Sequence, residues 1–217
     1  MERAFALAPA EPIIALNLAI FNLLEGHERD AEALRYATVA QALGWPPDVI
    51  PMNVVHSKAA QHAGRYFEAG ELMKRSHPGG ATPVGLGSLI DEIYRALEDP
   101  RQATAACDSI RAFVQTLGEG ILPGTLPMLL MHWSVSLGDI DLGYEIGNRA
   151  LDDYQRQQAI PVDSFVPQLW VTEMRAFRRD PRFHEFAGER LKLMDIWKEQ
   201  GPPDGCEIRQ GRLHVLS

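Results

Sequence analysis

The sequence predicts an all-α fold, an α-α superhelix of about four helix pairs with a C-terminal helical cap. Three observations lead there. Apolar residues recur at three- and four-residue steps, helix-ending turns recur at a near-constant interval, and strand-type alternation is scarce.

In chain order, residues 13–24 lean apolar but include Asn17 and Asn22, and 12 residues are too few to cross a bilayer, so they read as a buried helix. Four segments then show a helix end, a short polar turn and a small residue opening the next helix. They are EGHERDA at 25–31, AGRYFEA at 63–69, LEDPRQA at 97–103 and LGDIDLG at 137–143. Aligned on Gly26, Gly64, Glu98 and Gly138, they are spaced by 38, 34 and 40 residues. Five residues on stand Ala31, Ala69, Ala103 and Gly143, where a small side chain lets the second helix of a pair approach the first.

The segments that follow carry helical stripes. After Pro100 they comprise Ala103, Ala106, Cys107, Ile110, Phe113, Val114 and Leu117; after Gly138 they comprise Leu142, Ile146, Ala150, Leu151 and Tyr154. Proline and glycine mark the joints at 44–47, 77–83, 118–127 and 160–161, stopping one helix and opening the next. Only residues 207–216, with Gly211 in the middle, suit a short hairpin. The expected organisation is helix-pair repeats over 1–163 and a C-terminal helical cap and tail over 164–217, packed as one body.

The GRYFEA and GDIDLG turns resemble the turn of the tetratricopeptide repeat, as does RAFALAP at 3–9, which reads as the end of a second helix whose first helix precedes the chain. A further resemblance covers the last forty or so residues. Arg178-Arg179-Asp180-Pro181-Arg182-Phe183, the apolar run 191–197 and Gly201-Pro202-Pro203-Asp204 with Cys206 are similar to the closing segment of bacterial tetratricopeptide regions downstream of nucleotide-cyclase or winged-helix domains. Lys192 stands where such segments more often carry glycine. The resemblance implies a tetratricopeptide-like solenoid acting as a scaffold, the C-terminal part of a bacterial signalling or regulatory protein. Taken from the residues themselves, Asp180-Pro181 is a helix start. Phe183, Phe186, Leu191, Leu193, Met194, Ile196 and Trp197 offer an apolar surface to seal the last repeat, with Trp170, Met174 and Phe177 beneath it.

Composition narrows the function. The 217 residues are 46% hydrophobic and 23% charged, with mean hydropathy −0.16, as in ordinary globular domains. Acidic side chains number 29 against 21 basic ones, so no chain-wide basic field favours nucleic acid. No cleavage site follows the apolar N-terminal stretch, and the two cysteines, Cys107 and Cys206, form neither a disulfide framework nor a zinc spacing. A cytoplasmic protein with no membrane partner is expected.

His56 and His62 are six residues apart, about 600° around a helix, and fall on different faces. His27, His77, His132, His184 and His214 stand alone. Asp139/Asp141 and Asp152-Asp153 read as helix starts or solvated faces, and Gly85-Leu86-Gly87 and Gly118-Glu119-Gly120 are too short for phosphate loops. The sequence therefore gives no reason to expect a catalytic residue, metal or cofactor. In a helix-pair solenoid the natural binding surface is the concave face. Projecting the register there places Lys58, His62, Glu92, Arg95 and His132 in the groove, with Asn53 and Gln61 beside them, a mixed-charge set suited to a peptide, a protein partner or an attached output domain. Two other readings stand beside this one. One is a small helical enzyme with a pocket of His62, His132 and carboxylates; the other is a homodimer paired through the N-terminal half-repeat.

Overall fold

The computed structural model describes residues 8–47, 49–75, 83–118, 126–157, 167–202 and 206–216. The half-repeat at 3–7, most of the joints at 77–83, 118–127 and 160–161, and Pro203-Asp204 lie outside them. The described residues are mostly helical, with one two-stranded sheet, and form two compact units, Met1–Gly118 and Glu119–Ser217. Among them no helix is long and apolar enough to cross a membrane.

The first unit runs α1 (Pro12–Glu25), α2 (Asp30–Ala42), α3 (Ile50–His62), α4 (Tyr66–Arg75), α5 (Leu86–Glu98) and α6 (Ala103–Thr116). Each packs on its successor, and α1 also meets α3. A shared core of Leu16, Ala19, Tyr36, Ala37, Met52 and Val55 joins α1, α2 and α3.

Backbone chemistry explains the turn at Gly64. Its φ of 73° is left-handed, its N–H donates to Gln61 C=O at 3.0 Å, and Arg65 N–H donates to Ala60 C=O at 2.9 Å. These are the paired bonds of a Schellman cap, which absorb carbonyls that the ending helix leaves open. Gly44 and Gly138 carry the same pair of bonds. The turn at Glu98 lacks glycine and uses Asp-Pro-Arg instead. The Asp99 carboxylate accepts from the Arg101 backbone N–H and from its guanidinium, and Pro100 opens a 3₁₀ turn.

The small residues five positions on behave differently from one turn to another. Ala69 is fully buried, and a methyl group added at Gly143 would come within 2.7 Å of Val135 Cγ2, so helices do approach closely there. Ala31 is exposed, because the 3₁₀ turn His27–Arg29 intervenes and Ala33 takes the buried place; Ala103 is half-buried and Ala106 buried for the same reason. The α6 stripe Ala106, Cys107, Ile110, Phe113 and Val114 is buried as its spacing predicts.

The second unit contains α7 (Leu126–Ser136), α8 (Ile140–Gln157), α9 (Arg175–Arg179), a π-type turn over His184–Arg190, and α10 (Leu193–Gln200). The hairpin β1 (Cys206–Arg209) and β2 (Arg212–Val215) follows, turning through Gln210 and Gly211, both at positive φ, as a two-residue hairpin loop requires. α7 is buried from Leu126 to Val135 and has no solvent face. Behind it Tyr144 stacks on Phe177 at 4.0 Å, and Phe186 meets both rings edge-on. Burial pushes the Tyr144 phenol pKa up, and its hydroxyl donates to Phe177 C=O at 3.1 Å.

Two details of the C-terminal segment differ from expectation. The helix expected over 191–197 begins at Leu193, because Lys192 adopts a left-handed φ of 55° that breaks the turn before it. Ile196 is 46% exposed, since the short α10 turns Leu193, Met194 and Trp197 inward and Ile196 outward.

Candidate functional site

Asn53, Lys58 and Gln61 belong to α3, the most enclosed helix of the first unit. Asn53 is 4% exposed and Lys58 7%, and Gln61 is likewise buried, so none of the three lines an open surface. Between them Ser57 is fully buried and donates its single proton to Ala69 C=O at 2.8 Å. Tyr94 OH, 3.0 Å away, must then donate to Ser57 Oγ. One hydroxyl thus ties α3, α4 and α5 together.

His62 also does structural work. Its Nδ1 lies 2.9 Å from Asp30 Oδ1, with both side chains largely buried. The imidazole sits at the C-terminal end of α3 and the carboxylate at the N-terminal end of α2, so each complements the helix end it occupies. Glu92 is half-buried on α5, and Arg95 is exposed one turn on. His132 belongs to the second unit, on α7, and is 3% exposed. Of the seven, Arg95 alone lines the surface groove between α4 and α5.

That groove, of about 290 Å³, is lined by Phe67, Gly70, Glu71, Lys74, Asp91, Tyr94, Arg95 and Glu98. Its floor is the close approach of the two helices: a methyl group added at Gly70 would stand 3.4 Å from the Tyr94 side chain. On one wall Lys74 reaches Asp91 at 2.8 Å and Glu71 at 2.6 Å, and the Asp91 carboxylate holds the lysine pKa above its usual value. Arg95 donates Nε to Asp91 C=O at 3.1 Å and has no carboxylate partner among the described residues. On the rim Phe67 is 79% exposed.

Phe67 had a signal in the sequence. Ala69, Gly70 and Met73 form the buried stripe of α4, and Phe67 lies off it, an aromatic ring on an otherwise polar face. Lys74 and Asp91 had none, for their pairing depends on how α4 and α5 meet. Among the described residues no group of three or more His, Cys, Asp or Glu is placed to hold a metal ion. No family model, curated protein or solved structure matches the chain.

Proposed function

We propose that this chain is a protein-binding scaffold of tetratricopeptide-like helix pairs, a solenoid module of a bacterial regulatory protein, and that the α4–α5 groove holds a peptide. The observation that carries the reading is the exposed Phe67 ring beside Arg95 and Glu98, on a groove whose floor is fixed by Tyr94 and Gly70. Aromatic side chains and arginine are enriched at protein interfaces, and here an exposed phenylalanine and an arginine line one preformed groove. Flanking charges of both signs set register and orientation. Sequential packing of helices through repeated Schellman turns supports the scaffold part of the reading.

The test is selection of random dodecapeptides by the full chain, followed by fluorescence anisotropy on the selected sequences. Enriched peptides should share an apolar residue flanked by charge. Phe67→Ala and Arg95→Glu should each weaken them by about tenfold or more, with the far-UV circular dichroism unchanged. Failure to enrich any peptide, or equal binding by both variants, would overturn the groove. Lys58→Glu is unsuitable as a probe, because Lys58 is 7% exposed and a buried carboxylate in its place would destabilise the fold.

A further inference from the structure

Many of the described arginines are paired with carboxylates, but those around one pocket of the second unit are not. Arg35, Arg65, Arg101, Arg111, Arg182 and Arg190 each bond a carboxylate, as expected in a protein with eight more acidic than basic residues. In the second unit, a pocket of about 330 Å³ between the 178–184 segment and β2 is lined by Arg178, Arg179 and Arg212, together with His184 and His214. None of these three guanidinium groups has a carboxylate partner among the described residues. Arg178 is committed to backbone, donating Nη1 to Leu169 C=O at 2.6 Å and Val171 C=O at 2.8 Å, while Arg179 and Arg212 are exposed. Burial is the main cause that holds the Arg178 pKa below its usual value; Cys206 opposes it, and the charges of Arg175 and Arg179 add to it.

The one acid in the lining is occupied. Asp180 accepts from Arg182 Nε at 2.8 Å, from Arg182 Nη2 at 2.9 Å and from the Arg182 backbone N–H at 2.9 Å. The pocket is also built rather than incidental. The hairpin is fastened to the π-type turn by Leu213 N–H donating to His184 Nδ1 at 3.1 Å, and that bond brings Arg212 to the same opening as Arg179.

We infer that this pocket binds a phosphomonoester group. Two exposed guanidinium groups without a carboxylate partner among the described residues, Arg179 and Arg212, line one opening beside the backbone-bound Arg178. They suit a multiply charged anion with several acceptor oxygens, and a phosphomonoester carries roughly 1.5 to 2 negative charges and three such oxygens. The remaining lining, Pro181, Phe183, Leu213 and Val215, is apolar and suits the organic part of the ester. The volume falls at the small end of ligand sites, roughly 300–1,000 Å³. The acidic remainder of the chain disfavours a polynucleotide, whose further phosphates would meet like charge.

Isothermal titration of the full chain with phenyl phosphate, inorganic phosphate, a phosphoserine peptide and benzoate tests this. Phenyl phosphate or the peptide should bind one-to-one with Kd below about 1 mM, and whichever binds tighter identifies the source of the ester. The R179Q/R212Q double variant, altered only at exposed side chains, should lose at least about tenfold, or about 1.4 kcal/mol. The charge reversals Arg179→Glu and Arg212→Glu should each weaken binding further than the corresponding glutamine. The remote R35Q/R111Q pair should bind as the parent does. The site is overturned if no ester saturates below about 10 mM, if R179Q/R212Q binds equally, or if benzoate matches the phosphate esters.

Discussion

Gly87 and Gly143 both lie within helices, α5 and α8, yet a methyl group added at Gly87 meets nothing within 4 Å, whereas at Gly143 it meets Val135 Cγ2 at 2.7 Å. Glycine in a helix gives the unfolded chain extra freedom, so alanine is favoured by about 0.4–1 kcal/mol wherever it fits. Gly87→Ala should therefore raise the urea midpoint. Gly143→Ala gains the same entropy but forces a β-branched neighbour, stiff about χ1, to move, at a cost of about 1–3 kcal/mol. Its midpoint should fall, with the slope unchanged, and Val135→Ala in the same chain should recover part of the loss. If both glycines responded alike, the close contact of α7 and α8 would be wrong. The repeat register singles out Gly143 as a place needing a small residue, but it is silent on Gly87, whose freedom depends on what surrounds α5.

At the scale of elements, a side-chain hydrogen bond fastens the terminal hairpin. Leu213 is 8% exposed, and its backbone N–H points away from β1 to His184 Nδ1. His184→Ala leaves that donor buried without its acceptor, at a cost of about 1–3 kcal/mol. Hydrogen exchange at the Leu213 amide should quicken by one to two orders of magnitude on that scale, while amides of α7 stay protected; unchanged exchange would remove the hairpin's anchor. The hairpin itself was legible from alternation around Gly211, and the α6 stripe from its spacing, because each depends on neighbours within a few residues. The shift from Ala31 to Ala33 and the late start of α10 were not. Both follow from a local backbone choice, the 3₁₀ turn at His27–Arg29 and the left-handed Lys192, that the apolar pattern does not encode.

At the scale of the whole molecule, the candidate site was legible only in part. Asn53, Lys58 and Gln61 are polar, and polarity on one helix face reads as exposure; their burial comes from α3 being packed by α1, α2 and α4, which no window on α3 contains. Long-range packing also sets the acid response. Burial holds the half-buried His56 below its usual value of 6.5, against the weaker opposing charge of Glu68. The unfolded chain then binds a proton at His56 more readily than the folded one, so stability is present above about pH 6.5 and declines as pH falls from there toward the folded value. Asp99 and Asp180 are also shifted down, each held by the arginine two residues on, but they lose their contribution only near and below the ordinary carboxylate value of 3.8. The two windows separate. Between pH 7.5 and 5.5 the guanidinium chloride midpoint should fall, and His56→Gln, which cannot take up the proton, should fall less over the same interval. Equal slopes for the two chains would show that His56 is not held on α3 in the partly buried place described.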